Sequence, residues 1–330
     1  MMTLLSIDNL AIEFAGPSGP VRVVDGISLS LGEGETLGIV GESGSGKSVT
    51  SLSVMRLLPE DQAAIVQGDI RLRGQSLVRL SEAEMRKVRG NRIAMIFQEP
   101  MTALNPVFKI GRQLTEAIRQ HSRKSKREAR KEAIELLGHV GIPLPEQIVN
   151  VYPHQLSGGM RQRVMIAMAM ACDPELLIAD EPTTALDVTI QAQILDLMRK
   201  LQRERGTAML LITHDLGVVA ETCDRVSVMY AGQIVEQGDV KTVFREPKHP
   251  YTAGLLKSVP QFTGEGKELH SIAGQVPHPS EFPAGCRFAS RCPSRMDVCE
   301  KVDPAAYDFG DGHRCKCHLY GGRETNAGLA

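Results

Sequence analysis

One eight-residue segment constrains this chain more than any other part of its sequence. It fits the pattern G-x-x-x-x-G-K-[ST], which builds a loop that cradles phosphate groups. The segment consists of Gly41, Glu42, Ser43, Gly44, Ser45, Gly46, Lys47 and Ser48. The apolar run Thr36–Val40 predicts a buried strand before it, and residues 49–58 with Pro59 as a stop predict a helix after it. Strand, glycine loop and helix are the structural context that the motif requires.

The residue types in this segment suit a bound triphosphate. Glycines allow several backbone N–H groups to converge on phosphate oxygens, and the following helix adds partial positive charge at its N-terminus. Lys47 would reach the β- and γ-phosphates, Ser48 would ligate Mg²⁺, and Val49 would continue the nucleotide-binding segment into the helix. The alternative interpretation is an ordinary glycine-rich turn.

Composition narrows the class of protein further. The 330 residues suffice for one large domain or two moderate ones, and 42% of them are hydrophobic. A net charge of −1 does not favour binding to nucleic acid or to an anionic membrane. No apolar run approaches twenty residues, and the N-terminus lacks the basic region of a signal peptide, so we expect a cytosolic protein.

Predicted strands and helices alternate along most of the chain. Alternating polarity at 5–14 and 26–31 predicts half-buried antiparallel strands. Further strands are predicted at 36–40, 70–72, 92–97, 176–179, 208–213 and 226–230, and helices at 49–58, 110–137, 164–171 and 190–201. The basic run 122–127 interrupts one of these helices and indicates a solvated junction, or else a partner-binding patch. This order predicts an α/β fold with a mostly parallel sheet and an added antiparallel β layer.

A change of composition marks a boundary near residue 247, after which proline, histidine and glycine become frequent. We therefore predict a main domain at 1–246, with a helical subdomain at about 100–172, and a small C-terminal extension at 247–322. Residues 323–330 are predicted to form a flexible tail.

Four polar residues follow predicted strands, where ligands bind in open α/β sheets. Asp180 would hold Mg²⁺, and Gln98 would contribute a second ligand. Glu181 would orient or deprotonate the water that attacks the γ-phosphate, and His214 would contact that phosphate and hold Glu181 in line. Taken alone, His214 is more typical of a structural hydrogen bond, and Gln98 would be unremarkable.

These elements together resemble the ATP-binding cassette (ABC) family over roughly residues 4–245. The resemblance rests on the phosphate loop, Gln98, the segment 156–159 (Leu-Ser-Gly-Gly), the strand 176–181, the segment 184–187 and His214. It implies a phosphate-loop ATPase with a RecA-like, mostly parallel sheet, an antiparallel β layer and a helical subdomain. It also implies ATP and Mg²⁺ as ligands and Lys47, Glu181 and His214 as catalytic residues.

The resemblance gives further residues a role in nucleotide binding. Ser157, Gly158 and Gly159 would bind the γ-phosphate of ATP held by another subunit, and Asp187 would report across that interface. One chain carries one phosphate loop and one such segment, so two cassettes must meet head to tail. Phe14 is the candidate for stacking on adenine, with a role in the strand core as its alternative.

Three stretches, 98–106, 248–260 and the cysteine-rich tail, are similar to the dipeptide/oligopeptide importer branch of that family, of the DppD/OppD type. That branch implies a second ATPase subunit (a DppF/OppF-like paralogue or a second copy), two transmembrane permeases and a periplasmic or extracellular solute-binding protein. It places the chain on the cytoplasmic face of the inner membrane, with no nucleic acid. The alternatives are a nickel importer of the same branch, a non-transport cassette acting in DNA repair or on the ribosome, or an exporter.

Five of the seven cysteines lie at or after Cys286, which in a reducing compartment indicates metal binding rather than disulfides. Four thiolates could hold Zn²⁺ or an iron–sulfur cluster, and the absence of Cys-x2-Cys pairs weighs against zinc. The family's tail pattern implies a [4Fe–4S] cluster on Cys286, Cys292, Cys299 and Cys317, with Cys315 as a substitute for Cys317. Cys172 and Cys223 are expected to pack in apolar surroundings.

Overall fold

The computed structural model describes residues 2–17, 19–98, 103–184, 187–259 and 271–321. The strands are β1 (Thr3–Gly16), β2 (Gly19–Gly32), β3 (Thr36–Val40), β4 (Ala63–Leu72), β5 (Gln75–Ser76), β6 (Ile93–Ile96), β7 (Leu176–Asp180), β8 (Ala208–Thr213), β9 (Arg225–Tyr230), β10 (Gln233–Asp239), β11 (Ala306–Asp308) and β12 (Arg314–Lys316). The helices are α1 (Lys47–Val54), α2 (Glu82–Val88), α3 (Ile110–His121), α4 (Lys126–His139), α5 (Pro145–Ile148), α6 (Gly158–Ala169), α7 (Val188–Arg205), α8 (Leu216–Thr222), α9 (Val240–Arg245), α10 (Pro250–Lys257) and α11 (Val298–Lys301).

The chain divides into two compact units, of which the first comprises residues 32–35 and 79–211. Its strands follow the order β8-β7-β6, with β8 contributing residues 208–211. Strands β6 and β7 run parallel, with Ile96 opposite Ala179, and every residue of both strands is buried. Because parallel strands need crossover connections, helices α3 to α6 lie between them in the chain.

The second unit comprises residues 3–31, 36–78 and those from 212 onward. One sheet has the order β2-β1-β4-β5 and forms the antiparallel layer, with a bulge in β1 between Asp8 and Ala11. In the other sheet the strands follow the order β11-β12-β10-β9-β3. Strand β3 runs parallel to β9, whereas the C-terminal strands β12 and β11 add antiparallel pairs beyond β10. The C-terminal extension therefore continues a sheet that contains the strand of the phosphate loop.

The predicted α/β class and its antiparallel β layer are confirmed, and β3 and β8 have the predicted bounds. The helix predicted at 49–58 ends at Val54, because Arg56 takes a left-handed φ of 48° that a helix cannot continue. The helix predicted at 110–137 is two helices, and the second begins with a capping box between Ser125 and Glu128. The basic run is thus a helix junction, as one interpretation of the sequence expected.

Several elements begin earlier than the sequence indicated. Strand β4 starts at Ala63 rather than at residue 70, and α6 starts at Gly158 rather than at residue 164. Strand β10 was not predicted at all. Residues 99–102, 185–186, 260 and the predicted tail 323–330 lie outside the described part of the chain. Within that part, no helix is both long enough and apolar enough to cross a membrane.

Candidate nucleotide-binding site

The phosphate loop closes on itself around the side chain of Lys47. Strand β3, buried at all five positions, leads into the loop at Gly41. The Lys47 Nζ donates to the carbonyl oxygens of Gly41 at 2.7 Å and Glu42 at 2.9 Å, and only 6% of the residue is exposed. The loop therefore holds its ammonium group at the entrance to α1, where a triphosphate would be bound.

Two glycines of the loop occupy positions that other residues could not take. A Cβ on Gly41 would lie 2.1 Å from the Met229 carbonyl oxygen, and one on Gly46 would lie 2.7 Å from the Met229 Cε. Gly46 also has a φ of +102°, a left-handed value that favours glycine. It is the N-cap residue of α1, and no side chain accepts a capping hydrogen bond there. Gly46 therefore leaves the first N–H groups of α1 available to bind an anion such as phosphate.

Strand β7 carries the two predicted acidic residues to its end in the first unit. Asp180 is its last residue and is 5% exposed. Glu181 follows in a left-handed conformation with a φ of 46°, which is uncommon for a residue with a side chain and concentrates at functional sites. Its Oε2 accepts hydrogen bonds from Gln98 Nε2 at 3.1 Å and from Thr184 Oγ1 at 2.9 Å. These two donors fix the orientation of the carboxylate.

The Leu-Ser-Gly-Gly segment forms the N-terminus of α6, as the resemblance implied. The Ser157 Oγ accepts a hydrogen bond from the Met160 N–H at 3.3 Å and caps the helix. Ser157 and Gly158 are exposed, so a second molecule can reach this helix end. A Cβ on Gly159 would meet Ile190 Cγ2 at 2.9 Å, and Asp187 caps the helix that carries Ile190.

Gln162 is a residue of this site that the sequence reasoning did not select. It lies on α6, is 1% exposed, and donates from Nε2 to the Pro182 carbonyl oxygen. This bond ties the helix of the Leu-Ser-Gly-Gly segment to the backbone directly after Glu181. No sequence signal marked it, because Gln162 lies between Arg161 and Arg163, before the helix predicted at 164–171.

The remaining predicted residues lie as follows. His214 is exposed directly after β8, and the next residue, Asp215, caps α8 by accepting from Gly217 N–H at 2.8 Å. Phe14 is half-buried in β1 opposite Ala63 of β4. The proposed contact of His214 with phosphate and the stacking of Phe14 on adenine stay predictions.

The C-terminal cysteines are the second candidate site. The thiol of Cys286 interacts electrostatically with those of Cys292, Cys299 and Cys317, and burial raises the pKa of Cys286 to about 11. The thiols of Cys286, Cys292 and Cys317 each accept a hydrogen bond from the backbone two residues further on. Among the described residues, no three His, Cys, Asp or Glu side chains are grouped so that they could hold one metal ion.

Cys315, the fifth cysteine of the extension, is 1% exposed on β12. Burial and the nearby Glu236 carboxylate raise its pKa, because both disfavour the thiolate. Burial and Glu236 also raise the pKa of Cys317, so the choice between the two cysteines as a ligand stays a prediction. The two cysteines outside the extension fit a packing role, since Cys172 is half-buried and burial raises the pKa of Cys223 to about 12.

These features define a phosphate-loop ATPase of the cassette type. They are the glycine-rich loop between a strand and a helix, the acidic end of a strand, and the capped helix that begins with the Leu-Ser-Gly-Gly segment. The chain belongs to the ABC transporter family, whose profile matches residues 24–184. A second profile, described as the C-terminal region of oligopeptide/dipeptide transporters, matches residues 235–299. Both matches confirm the resemblance that the sequence motifs indicated.

Curated relatives match almost the whole chain. It is 53% identical over 320 residues to the oligopeptide transport ATP-binding protein AppD of Bacillus subtilis (strain 168), covering 97% of this chain and 98% of that protein. It is 51% identical over 317 residues to the dipeptide transport ATP-binding protein DppD of Escherichia coli (strain K12), covering 96% and 97%.

Solved cassettes share the fold. The dimeric ATP-binding cassette MJ0796, in a post-hydrolysis state bound to ADP and Pi, superposes with a TM-score of 0.65 at 28% identity. That match covers 72% of this chain and 99% of the solved one. CbiO1 from Clostridium perfringens, part of the ABC transporter complex cbiONQ, matches with a TM-score of 0.63 at 27% identity, covering 74% of this chain and 92% of that one.

Proposed function

We propose that this chain is the ATP-hydrolysing subunit of an importer of di- and oligopeptides. One observation carries the proposal: an ABC cassette and a peptide-transporter C-terminal region occur in one chain, at full-length identity above 50% to peptide transport ATP-binding proteins. The subunit works at the cytoplasmic face of the cell membrane as a peripheral protein. The names of these relatives, peptide transport ATP-binding proteins, favour peptides over nickel and over a role outside transport.

The geometry supports hydrolysis of the bond to the γ-phosphate by water. Lys47 and the N-terminus of α1 bind the phosphates and stabilise the charge that develops on them. Glu181, oriented by Gln98 and Thr184, positions the attacking water and accepts its proton. Ser48, Gln98 and Asp180 would hold Mg²⁺, which supplies positive charge to the phosphate oxygens.

Two cassettes are needed for each complete site. Ser157 and Gly158 are exposed at the N-terminus of α6, which suits them to bind the γ-phosphate held by a second subunit. ATP would therefore close two cassettes head to tail, and hydrolysis would let them separate. The second cassette is a paralogue, or a second copy when the chain is isolated.

Two permease subunits and a solute-binding protein complete the importer. The permeases would contact the surface that follows Gln98, where Val107 is 69% exposed. Val107 directly follows the stretch 98–106 that is similar to the peptide importer branch, and this position rather than its exposure alone makes it the residue to test.

Co-purification tests this assembly. Tagged chain extracted from membranes in detergent is expected to carry two multi-span permeases and a second cassette protein, identified by mass spectrometry. Val107→Glu places a charge in the permease contact and should lose the permeases while retaining ATP binding. Leu144→Glu, at a residue that is also 65% exposed, is the matched control and should retain them. Ribosomal or DNA-repair proteins in place of permeases would contradict the proposal.

We also propose that Cys286, Cys292, Cys299 and Cys317 hold a [4Fe–4S] cluster. Each thiol of such a cluster binds a different iron. The thiols of all four cysteines interact electrostatically with one another, which suits them to be the ligands of one cluster. Hydrogen bonds from the backbone to three of these thiols are typical of cluster ligands.

Metal analysis tests the cluster. Full-length chain purified without oxygen is expected to contain about four iron and four acid-labile sulfide per chain. Cys299→Ser should lose both, whereas Cys172→Ser, which changes a half-buried cysteine of the first unit, should lose neither. Zinc in place of iron, or no metal under these conditions, would refute the assignment.

A further inference from the structure

Glu42, the second residue of the phosphate loop, makes hydrogen bonds through all of its polar groups. Its carboxylate accepts two hydrogen bonds from Arg291, Nη1 to Oε2 at 2.6 Å and Nη2 to Oε1 at 3.0 Å. Its backbone N–H donates to the Tyr251 hydroxyl at 2.9 Å, and its carbonyl oxygen accepts from Lys47 Nζ at 2.9 Å. The residue that helps to hold Lys47 is thus itself held by two residues of the C-terminal extension.

Arg291 is built into the extension rather than lying on its surface. Its side chain is 4% exposed, and it donates to the carbonyl oxygens of Ala273 at 2.9 Å, Gly274 at 3.2 Å and Ile272 at 3.3 Å. Pairing with Glu42 raises the pKa of Arg291, so it stays charged. The guanidinium therefore presents a fixed positive charge to the phosphate loop.

Tyr251 is fixed by packing. It is fully buried, and its ring packs against those of Tyr230 and Phe288 with centroid distances of 4.7 Å and 5.3 Å. Burial raises its pKa, so the hydroxyl remains neutral and can accept the Glu42 N–H. Such aromatic contacts hold a hydroxyl in place at low entropic cost.

We propose that Arg291 and Tyr251 are positioning residues of the nucleotide site, through which the extension sets the charge and the shape of the phosphate loop. Glu42 is 32% exposed and carries a negative charge on a loop that must receive the negative phosphates of ATP. Arg291 neutralises that charge, and Tyr251 accepts from the N–H of the peptide whose carbonyl, that of Gly41, holds Lys47. This inference rests on the proposed ATPase function and adds to its site Arg291 and Tyr251, which lie 249 and 209 positions from Glu42 in the sequence.

The test is ATP binding by the full-length chain, measured by calorimetry, together with steady-state hydrolysis. Arg291→Ala is expected to weaken ATP binding on the order of tenfold, because it leaves the Glu42 carboxylate unpaired near the phosphates. KM should rise more than kcat falls, since Arg291 touches no reacting atom. Tyr251→Phe should have a smaller effect of about threefold, because it removes one neutral hydrogen bond.

A second substitution separates positioning from mere folding. Adding Glu42→Gln to Arg291→Ala removes the unpaired charge and should restore most of the affinity, which a damaged extension could not do. Arg295→Ala is the matched control, because Arg295 pairs with Glu300 on the surface of the same extension and both are more than half exposed. If Arg291→Ala does not fold, Arg291→Gln with and without Glu42→Gln gives the same comparison with a side chain that still donates hydrogen bonds.

The results for the variants and for the wild-type chain show separately whether the inference or the proposed function fails. Wild-type affinity in the Arg291→Ala variant, or no recovery on adding Glu42→Gln, would overturn the inference alone. Failure of the wild-type chain to bind ATP would overturn the proposed function as well.

Discussion

Replacing Glu181 with glutamine is expected to slow ATP hydrolysis by about 10²–10⁴-fold, the range for loss of a general base. Glutamine keeps the shape of the side chain, and its oxygen can still accept hydrogen bonds from Gln98 and Thr184. What it loses is the ability to take a proton from the attacking water. ATP binding should therefore be retained, so that calorimetry gives an affinity near the wild-type value while phosphate release nearly stops.

The control for this variant is Glu204→Gln. It makes the same change on the surface of α7, where the Glu204 side chain is 54% exposed. Its hydrolysis rate should equal that of the wild type. Wild-type turnover by the Glu181→Gln chain would show that another group activates the water.

Replacing Lys47 with alanine should weaken ATP binding by about 100-fold, as expected when a charged hydrogen-bond donor to phosphate is removed. The ammonium group is nearly buried and is held by the carbonyl oxygens of Gly41 and Glu42, so it is already close to where phosphates bind. No neighbouring residue of the loop carries a second positive charge. The affinity is measured by titration with ATP and Mg²⁺.

Two controls accompany the Lys47→Ala variant. Lys241→Ala changes an exposed lysine of α9 in the same unit and should leave the affinity unchanged. Circular dichroism and thermal unfolding establish that the Lys47→Ala chain is folded, because the substitution also removes two internal hydrogen bonds. A folded variant with wild-type affinity would contradict the role given to Lys47.

Features that depend on short stretches of chain could be predicted from the sequence. The phosphate loop, its strand and the start of its helix are specified by one motif, and the cap at Ser157 forms within three residues. The strand end at Asp180 and Glu181 was visible as an apolar run followed by two acids. In each case the residues that determine the structure are neighbours in the chain.

Features that depend on distant partners could not be predicted. The pairing of Arg291 with Glu42 joins residues 249 positions apart in the sequence, and nothing local to either residue indicates the other. The bond from Gln162 to Pro182 likewise depends on how a helix packs against a loop. Strand β10 was missed because the alternation of apolar and polar residues in its sequence does not mark it as a strand. Its pairing with β9 at six positions makes it one.

Uptake of labelled dipeptide by cells lacking this gene tests the central claim most directly. The account predicts that uptake is lost on deletion, is restored by the wild-type chain, and is not restored by the Glu181→Gln chain. Nickel uptake by the same cells should be unaffected throughout. Unchanged dipeptide and oligopeptide uptake in the deletion strain, or loss of nickel uptake instead, would contradict the account.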